Sequence, residues 1–365
     1  MSLYKRAKLL HGLLTGEVAK TGPFFVDIDL TNRCNLKCLG CTYHSSDVKK
    51  VSQQGSAEAD ISVDLFKDLC KELKIMGTES LIFHGSGEPF LHNNILDMLS
   101  IAKESGFHVT IITNGTLLDM DMLKSLIGLR LDTLKVSLWA SSIDGYRKNY
   151  PGTNPDYFDK VINTLKLLTS LKASLKSRTP LLQLHHPINR HNYKTIGEFT
   201  NLALDTGCNI LSFSPFWTVK GQVDSAALSK DEEEVMIRSL RKNKERLKYL
   251  TINDRTDDTL LKYRLGSSVW KKVPCYVAWY HARVRVDGKV QPCGRCLPEV
   301  NFGNLNNDTL HDIWNGESIR SFRSAALDPR TKASMLEGCD CNYCCFAVDN
   351  MKVHRIFKWI PSFFP

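Results

Sequence analysis

Short apolar runs and longer amphipathic stretches alternate along the first two thirds of the chain, and this alternation predicts most of its elements. After a basic amphipathic N-terminal helix (MSLYKRAKLLHGLLTGEVAK), Pro23 ends the approach, and FFVDIDL (24–30) reads as a strand. Its Phe25, Asp27 and Asp29 share one face, as expected where that face meets a polar lumen. A polar loop runs from Ser45 to Asp60, followed by a helix over 62–76 with Leu65, Phe66, Leu69, Leu73 and Ile75 on its apolar side. Strands are then predicted at 80–85, 108–115, 133–139, 181–188 and 210–216, separated by helices at about 93–105, 117–129, 155–172 and 193–206. Counting the first, that makes six strand-helix units, the signature of a parallel sheet with helices outside. In such sheets functional residues gather where the C-terminal ends of the strands meet the following loops.

Beyond residue 218 the pattern changes. SKDEEEVMIRSLRKNKERLKYL (229–250) reads as a solvated linker helix whose acidic start and basic end suit its dipole. From 273 a smaller unit begins, with Asp287-Gly288 marking a hairpin over about 280–291. The organisation expected is therefore an N-terminal helix (1–20), a strand-helix domain (21–220), a charged helical linker (221–272), a cysteine-bearing domain (273–349) and a basic-aromatic tail (350–365). The tail, KVHRIFKWIPSFFP with the residues before it, is expected to fold back as a plug, the other reading being peripheral contact with a membrane surface. No apolar run reaches the roughly 18 residues of a membrane span, and the start does not read as a signal peptide, so a cytoplasmic protein is expected. A formal charge of +9 admits nucleic acid as a partner, but the basic residues are dispersed and nucleic-acid binding is not the expectation.

Twelve cysteines in a reducing compartment argue against disulfides. Cys70 and Cys208 stand alone and read as buried small hydrophobes. Cys34, Cys38 and Cys41 fall in one short loop after the first strand. A structural zinc site uses four protein ligands, whereas a four-iron cubane held by three thiolates keeps one iron free for an exchangeable molecule. This loop, with Thr31, Asn32, Arg33, Asn35 and Leu36, resembles the cluster loop of the radical S-adenosylmethionine (SAM) superfamily.

The resemblance implies an α/β fold, a partial (βα)6 TIM-like barrel, in which a 4Fe-4S cluster on Cys34, Cys38 and Cys41 binds SAM and cleaves it to a 5'-deoxyadenosyl radical. It implies further that Gly85, Ser86, Gly87 and Glu88 of HGSGEPFL meet the methionyl ammonium, that Asn114 shapes the pocket floor, and that Ser137 contacts the ribose or carboxylate. Ser212, Phe213 and Ser214 are candidate neighbours of the adenine. Many relatives carry an aromatic residue before the third cysteine where this chain has Gly40, and Tyr43 is the candidate to replace that contact. The C-terminal cysteines resemble a SPASM/twitch domain, implying one auxiliary 4Fe-4S cluster on Cys275, Cys293, Cys341 and Cys344, across the barrel mouth from the first. A second auxiliary cluster, with roles for Cys296, Cys339 and Cys345, stays open, as does zinc.

An auxiliary cluster favours net oxidation, so an oxidoreductase is expected, with a flavodoxin or ferredoxin as electron donor and His84, His185 or His186 as base. His185 and His186 are adjacent on one strand and face opposite ways, so at most one reaches the lumen. The residues before Thr21 are too few for a leader-binding domain, which favours a small, carbohydrate-like substrate over a peptide. From a different class, the chain can be read as a non-enzymatic metal-binding protein that binds nucleic acid.

Overall fold

The structure is a computed structural model of the 365-residue chain and describes residues 3–45, 58–217, 224–266, 270, 273–296, 300–327, 338, 339, 341 and 344–357. Helix α1 (Leu3–Leu14) leads into β1 (Phe25–Asp29), α2 (Val63–Met76) and β2 (Ser80–His84). There follow α3 (Ile95–Glu104), β3 (His108–Thr113), α4 (Met120–Gly128), β4 (Thr133–Ser137), a short α5 (Ile143–Asn149), α6 (Tyr157–Ser174) and β5 (Leu181–Ile188). Next come α7 (Ile196–Asp205), β6 (Ile210–Pro215), α8 (Lys230–Leu247), β7 (Asn253–Asp254) and α9 (Thr256–Leu265). The C-terminal part holds β8 (His281–Val284), β9 (Val290–Gln291), α10 (Leu310–Trp314), α11 (Glu317–Leu327) and α12 (Ala347–Phe357).

All six expected strands form, in one sheet of order β7-β6-β5-β4-β3-β2-β1-β8-β9. Every pair is parallel except β8 with β9. The edge strands β7 and β9 do not pair with each other, so the barrel is incomplete. The residues facing the helices are buried and mostly apolar, such as Val26 and Ile28 in β1 and Leu134 and Val136 in β4, while most polar residues of these strands alternate toward the lumen. Local signals set the helix ends. Ser62 caps α2 by accepting from Leu65 N–H, Gly77 closes it at φ 84°, and Ser229 with Glu232 forms a capping box at α8.

The segment read as a linker is built into the barrel instead. One face of α8, carrying Met236, Leu240 and Leu247, is buried, and Asn243 donates to Thr200 on α7, while β7 extends the sheet beside β6. Charge predominates in the sequence of α8 because only this narrow stripe is covered. Similarly, the hairpin at Asp287-Gly288 forms, with Gly288 at φ 80°, but β8 adds in parallel to β1 rather than standing apart. Ile75, expected on the apolar side of α2, is 87% exposed near the helix end. Cys70 and Cys208 are buried, as expected. Most of the 45–60 loop and the tail beyond 357 lie outside the described residues; the start of the tail is helix α12, where Asn350 accepts from Tyr276 N–H and His354 meets the Tyr276 hydroxyl. Among the described residues, no helix is long and apolar enough to cross a membrane.

Candidate active site

The cysteine loop leaves the C-terminal end of β1 and is held from several sides. Arg33 pairs with Asp60 and donates to Leu91 C=O at 2.7 Å, and Leu39 N–H donates to Asn149 C=O. Asn35 reaches the turn after β3, donating to Thr116 Oγ1 at 2.8 Å and accepting from Asn114 Nδ2 at 2.9 Å. Backbone N–H groups aim at the sulfurs, those of Asn35 and Leu36 at Cys34 and those of Tyr43, His44 and Ser45 at Cys41. Burial nevertheless pushes all three thiols up, Cys34 to about 12, with like charge on neighbouring groups adding to the effect at Cys34 and Cys38. Three half-buried thiols surrounded by inward-facing amides suit a group that takes thiolates and brings its own positive charge, as iron does. Among the described residues no three or more His, Cys, Asp or Glu side chains are gathered around a point for a single metal ion.

The glycine-rich turn after β2 packs directly on this loop. A Cβ on Gly87 would lie 2.2 Å from Arg33 C=O, and Glu88 N–H donates to that same carbonyl at 2.7 Å. Gly85 sits at φ 153° against the backbone of Asp29. The glycines thus bring backbone against backbone. Glu88 faces inward: its carboxylate accepts from Thr113 Oγ1 at 2.6 Å and Asn114 N–H at 2.8 Å, fixing the turn after β3. Asn114 is likewise committed, to Glu88 and Asn35. Burial raises Glu88 to about 7 against its hydrogen bonds, so its charge costs stability as pH rises from the usual 4.5 through 7. Glu88→Gln is expected to flatten the fall in stability between those pH values by about 3 kcal/mol, read from chemical denaturation as a function of pH; an unchanged pH profile would refute it.

Behind the turn lies a buried ion pair. Arg283 of β8 donates to Asp29 of β1 through Nε at 3.0 Å and through a terminal nitrogen at 2.6 Å, and also meets Tyr43 Oη at 3.2 Å. Ser86 Oγ donates to Asp29 at 3.3 Å, and His44 meets Ser86 C=O at 2.6 Å. Below it Asp27 stands 3.1 Å from His84 and 3.2 Å from His281. Burial works against the charge of Asp27, but the two imidazoles hold it well below the usual carboxylate range, and Asp27 in turn raises His281 against burial. His84 therefore faces the lumen already engaged.

Of the other two candidate histidines, His185 faces the lumen. Its ring nitrogens meet Ser212 Oγ at 3.0 Å and Ser214 Oγ at 3.2 Å, and burial, then Lys135 and Lys262, keep it neutral. His186 points the other way, stacked on Phe199 with Nδ1 at 2.8 Å from Leu138 C=O, and burial lowers it to about 4. Phe213 packs edge-on to His186 and Phe199 in that outer layer, so neither residue lines the lumen. Ser137 faces inward and accepts from Trp139 Nε1 at 3.0 Å, keeping its own hydroxyl hydrogen to donate.

The C-terminal thiols assemble as well. Burial raises Cys293, with Cys345, Cys341 and Cys275 as its charged neighbours, and Cys344 interacts with Cys345, Cys341 and Cys293. The four predicted cysteines thus come together with Cys345 as a fifth, which the neighbouring Cys344 holds below the usual thiol range. Cys296 pairs with Cys339 as a disulfide. The location differs from the expectation. Because β9 returns antiparallel to β8, Cys293 comes back level with the N-terminal end of β8, where Pro292 C=O meets His281, whereas the cysteine loop leaves the C-terminal end of β1. The two thiol groups lie toward opposite ends of paired strands, with Asp27 and the lumen between them.

The sequence reading missed Lys135. It lies on the lumen face of β4 between the buried Leu134 and Val136, and burial, then Lys262, lowers it to about 8.

Two family models match this chain, the radical SAM superfamily over residues 28–182 and the SPASM iron-sulfur cluster-binding domain over 275–352. The chain belongs to the radical SAM superfamily and carries a C-terminal SPASM domain. Its cofactors are SAM and 4Fe-4S clusters. A tungsten-containing aldehyde ferredoxin oxidoreductase cofactor-modifying protein of Pyrococcus furiosus is 25% identical, covering 87% of this chain and 88% of its own length. A PqqA peptide cyclase of Xanthomonas campestris is 24% identical, covering 87% of this chain and 79% of its own. Among solved structures, Streptococcus suis SuiB bound to SAM superposes with a TM-score of 0.67 at 16% identity, covering 94% of this chain and 76% of SuiB. The anSMEcpe structure with bound SAM gives 0.65 at 17%, covering 93% and 99%. Both share the fold of this radical SAM protein.

Proposed function

We propose that this radical SAM protein oxidatively modifies a peptide, with Cys34, Cys38 and Cys41 holding the SAM-binding cluster and Cys275, Cys293, Cys341 and Cys344 holding an auxiliary one. The observation that carries it is the placement of the two thiol groups toward opposite ends of β1 and β8, with a polar lumen between them. Bound there, SAM and the clusters supply a carbon-centred radical and a sink for one electron. The protein's part is to position and to exclude water: Ser137 offers a hydroxyl toward the sugar, the Gly87 turn fixes the cysteine loop, and His84, oriented by Asp27, is the first candidate to take a substrate proton. His185 is the second candidate base, while His186 and Phe213 act in packing.

A peptide substrate is favoured over the small carbohydrate-like molecule by the PqqA peptide cyclase relatives, which match over most of their own length. Reduced, cluster-loaded protein incubated with SAM and a perdeuterated peptide pool is expected to release 5'-deoxyadenosine carrying deuterium. Cys34→Ala is expected to abolish the release. Release without deuterium from any peptide would refute the peptide substrate, and no release from fully loaded protein would refute the enzyme. Electrons are expected from a flavodoxin or ferredoxin.

A further inference from the structure

We propose that Tyr150 is a positioning residue for SAM: its hydroxyl clamps the end of β4 so that Ser137 presents its own hydroxyl hydrogen to the sugar. The part of Ser137 in this rests on the function proposed above; the identity of the substrate does not enter.

Strand β4 outruns its neighbour β3. The last paired residue of β3, Thr113, lies opposite Val136, and β3 ends there. On the other side the ladder continues, with Leu138 N–H donating to His185 C=O at 3.0 Å. Backbone groups of successive strand residues point to alternate sides, so Ser137 C=O and Trp139 N–H face the side that β3 has left and need another partner. One atom serves both. Tyr150 Oη accepts from Trp139 N–H at 2.9 Å and donates to Ser137 C=O at 3.2 Å. The ring that carries it is 2% exposed and stacks on Tyr146 with centroids 4.2 Å apart, so the hydroxyl has little freedom to move. Asn192 Nδ2 holds the strand end further on, donating to Trp139 C=O at 3.0 Å. With this backbone fixed, the Trp139 indole turns back over the strand, and its Nε1–H donates to Ser137 Oγ at 3.0 Å, while Phe216 meets the indole edge-on at 5.9 Å. A serine oxygen that accepts from one side keeps its single hydrogen for another direction, here the lumen. An acceptor oxygen of the SAM sugar is a group that such a hydroxyl takes.

The same helix end reaches the cluster side. Asn149, next to Tyr150, is fully buried, and its C=O accepts from Leu39 N–H of the cysteine loop at 2.9 Å. Its side chain donates to Gly145 C=O at 2.9 Å and accepts from Asn189 Nδ2 at 2.7 Å. Two adjacent residues thus fix the cysteine loop and the Ser137 hydroxyl relative to each other, and a molecule held by both must fit that span.

The test is calorimetric titration of cluster-loaded protein with SAM in the absence of any peptide. Ser137→Ala and Tyr150→Phe are each expected to weaken SAM binding about tenfold, and the double variant to bind no more weakly than Ser137→Ala alone, because one hydroxyl acts through the other. Trp139→Phe keeps the backbone hydrogen bond to Tyr150, loses only the indole N–H, and is expected to weaken binding about threefold, again with no added loss on Ser137→Ala. Iron and sulfide content report that the variants are loaded. A tyrosine with a merely structural role would give losses that add in the double variant. Additive losses would therefore overturn the clamp, as would wild-type affinity in Tyr150→Phe. Should Tyr150→Phe fail to hold its cluster, Trp139→Phe decides: a loss coupled to Ser137 upholds the clamp, and unchanged affinity overturns it. Wild-type affinity in Ser137→Ala would refute the assignment of Ser137 to SAM and this inference with it. These SAM affinities together with no deuterium drawn from any peptide would uphold the clamp and refute the peptide substrate alone.

Discussion

Gly87→Ala is expected to lower 5'-deoxyadenosine formation about a hundredfold and to deplete iron from the first cluster, although all three cysteines of the loop remain. The added methyl carbon would lie 2.2 Å from Arg33 C=O and 2.7 Å from Arg33 N, both backbone atoms that cannot rotate away. The turn must lift off, breaking the hydrogen bond from Glu88 N–H to Arg33 C=O at 2.7 Å. Arg33 adjoins Cys34, and Glu88 anchors the turn after β3 that holds Asn35, so the displacement reaches the cysteine loop from two directions. Losing about 3 kcal/mol of positioning corresponds to roughly two orders of magnitude in rate. Iron and sulfide analysis alongside product release checks it. Full cluster content and wild-type release would mean that the turn does not govern the loop.

The strands were legible in the sequence because their alternation is local: the first six bury mostly apolar residues on the helix side and turn most of their polar residues to the other. The same alternation bears on the two candidates that the structure moves away from the lumen. Phe213 lies between Ser212 and Ser214 and must face opposite to them, and His186 faces opposite to His185. Lys135 was equally on view in TLKVS, but a lysine at a lumen position reads as any polar residue. Its charged neighbours emerge only when β1 and α9 are brought around it. The partners of Glu88, Thr113 and Asn114, were out of view for a related reason, since they are supplied by the next strand. The pairing of β8 with β1 joins residues some 250 positions apart, a link that no local pattern in a short strand announces. The cysteine groups were recognisable from spacing alone, whereas their placement toward opposite ends of β1 and β8 depends on the antiparallel return of β9.

That long-range pairing makes Asp29 and Arg283 the second place where a large effect is expected. Asp29 is fully buried, Arg283 nearly so, and two hydrogen bonds join them at 3.0 and 2.6 Å. Arg283→Met or Asp29→Asn leaves the other member without its partner inside the protein, at a cost of about 3–5 kcal/mol. Thermal unfolding is expected to move down by roughly 5–10 °C for either single variant. The double replacement Asp29→Leu with Arg283→Met removes both charges and is expected to recover most of that loss, so that the two changes couple strongly in a double-mutant cycle. Activity should not recover with stability. Asp29 also receives Ser86 of the glycine-rich turn, and Arg283 also donates to Tyr43 of the cysteine loop, so the pair is where both loops are tied to the sheet. A double variant that melts near the wild type yet releases little 5'-deoxyadenosine would separate the two roles. Single variants that melt like the wild type would show that β8 is held to β1 by its backbone alone.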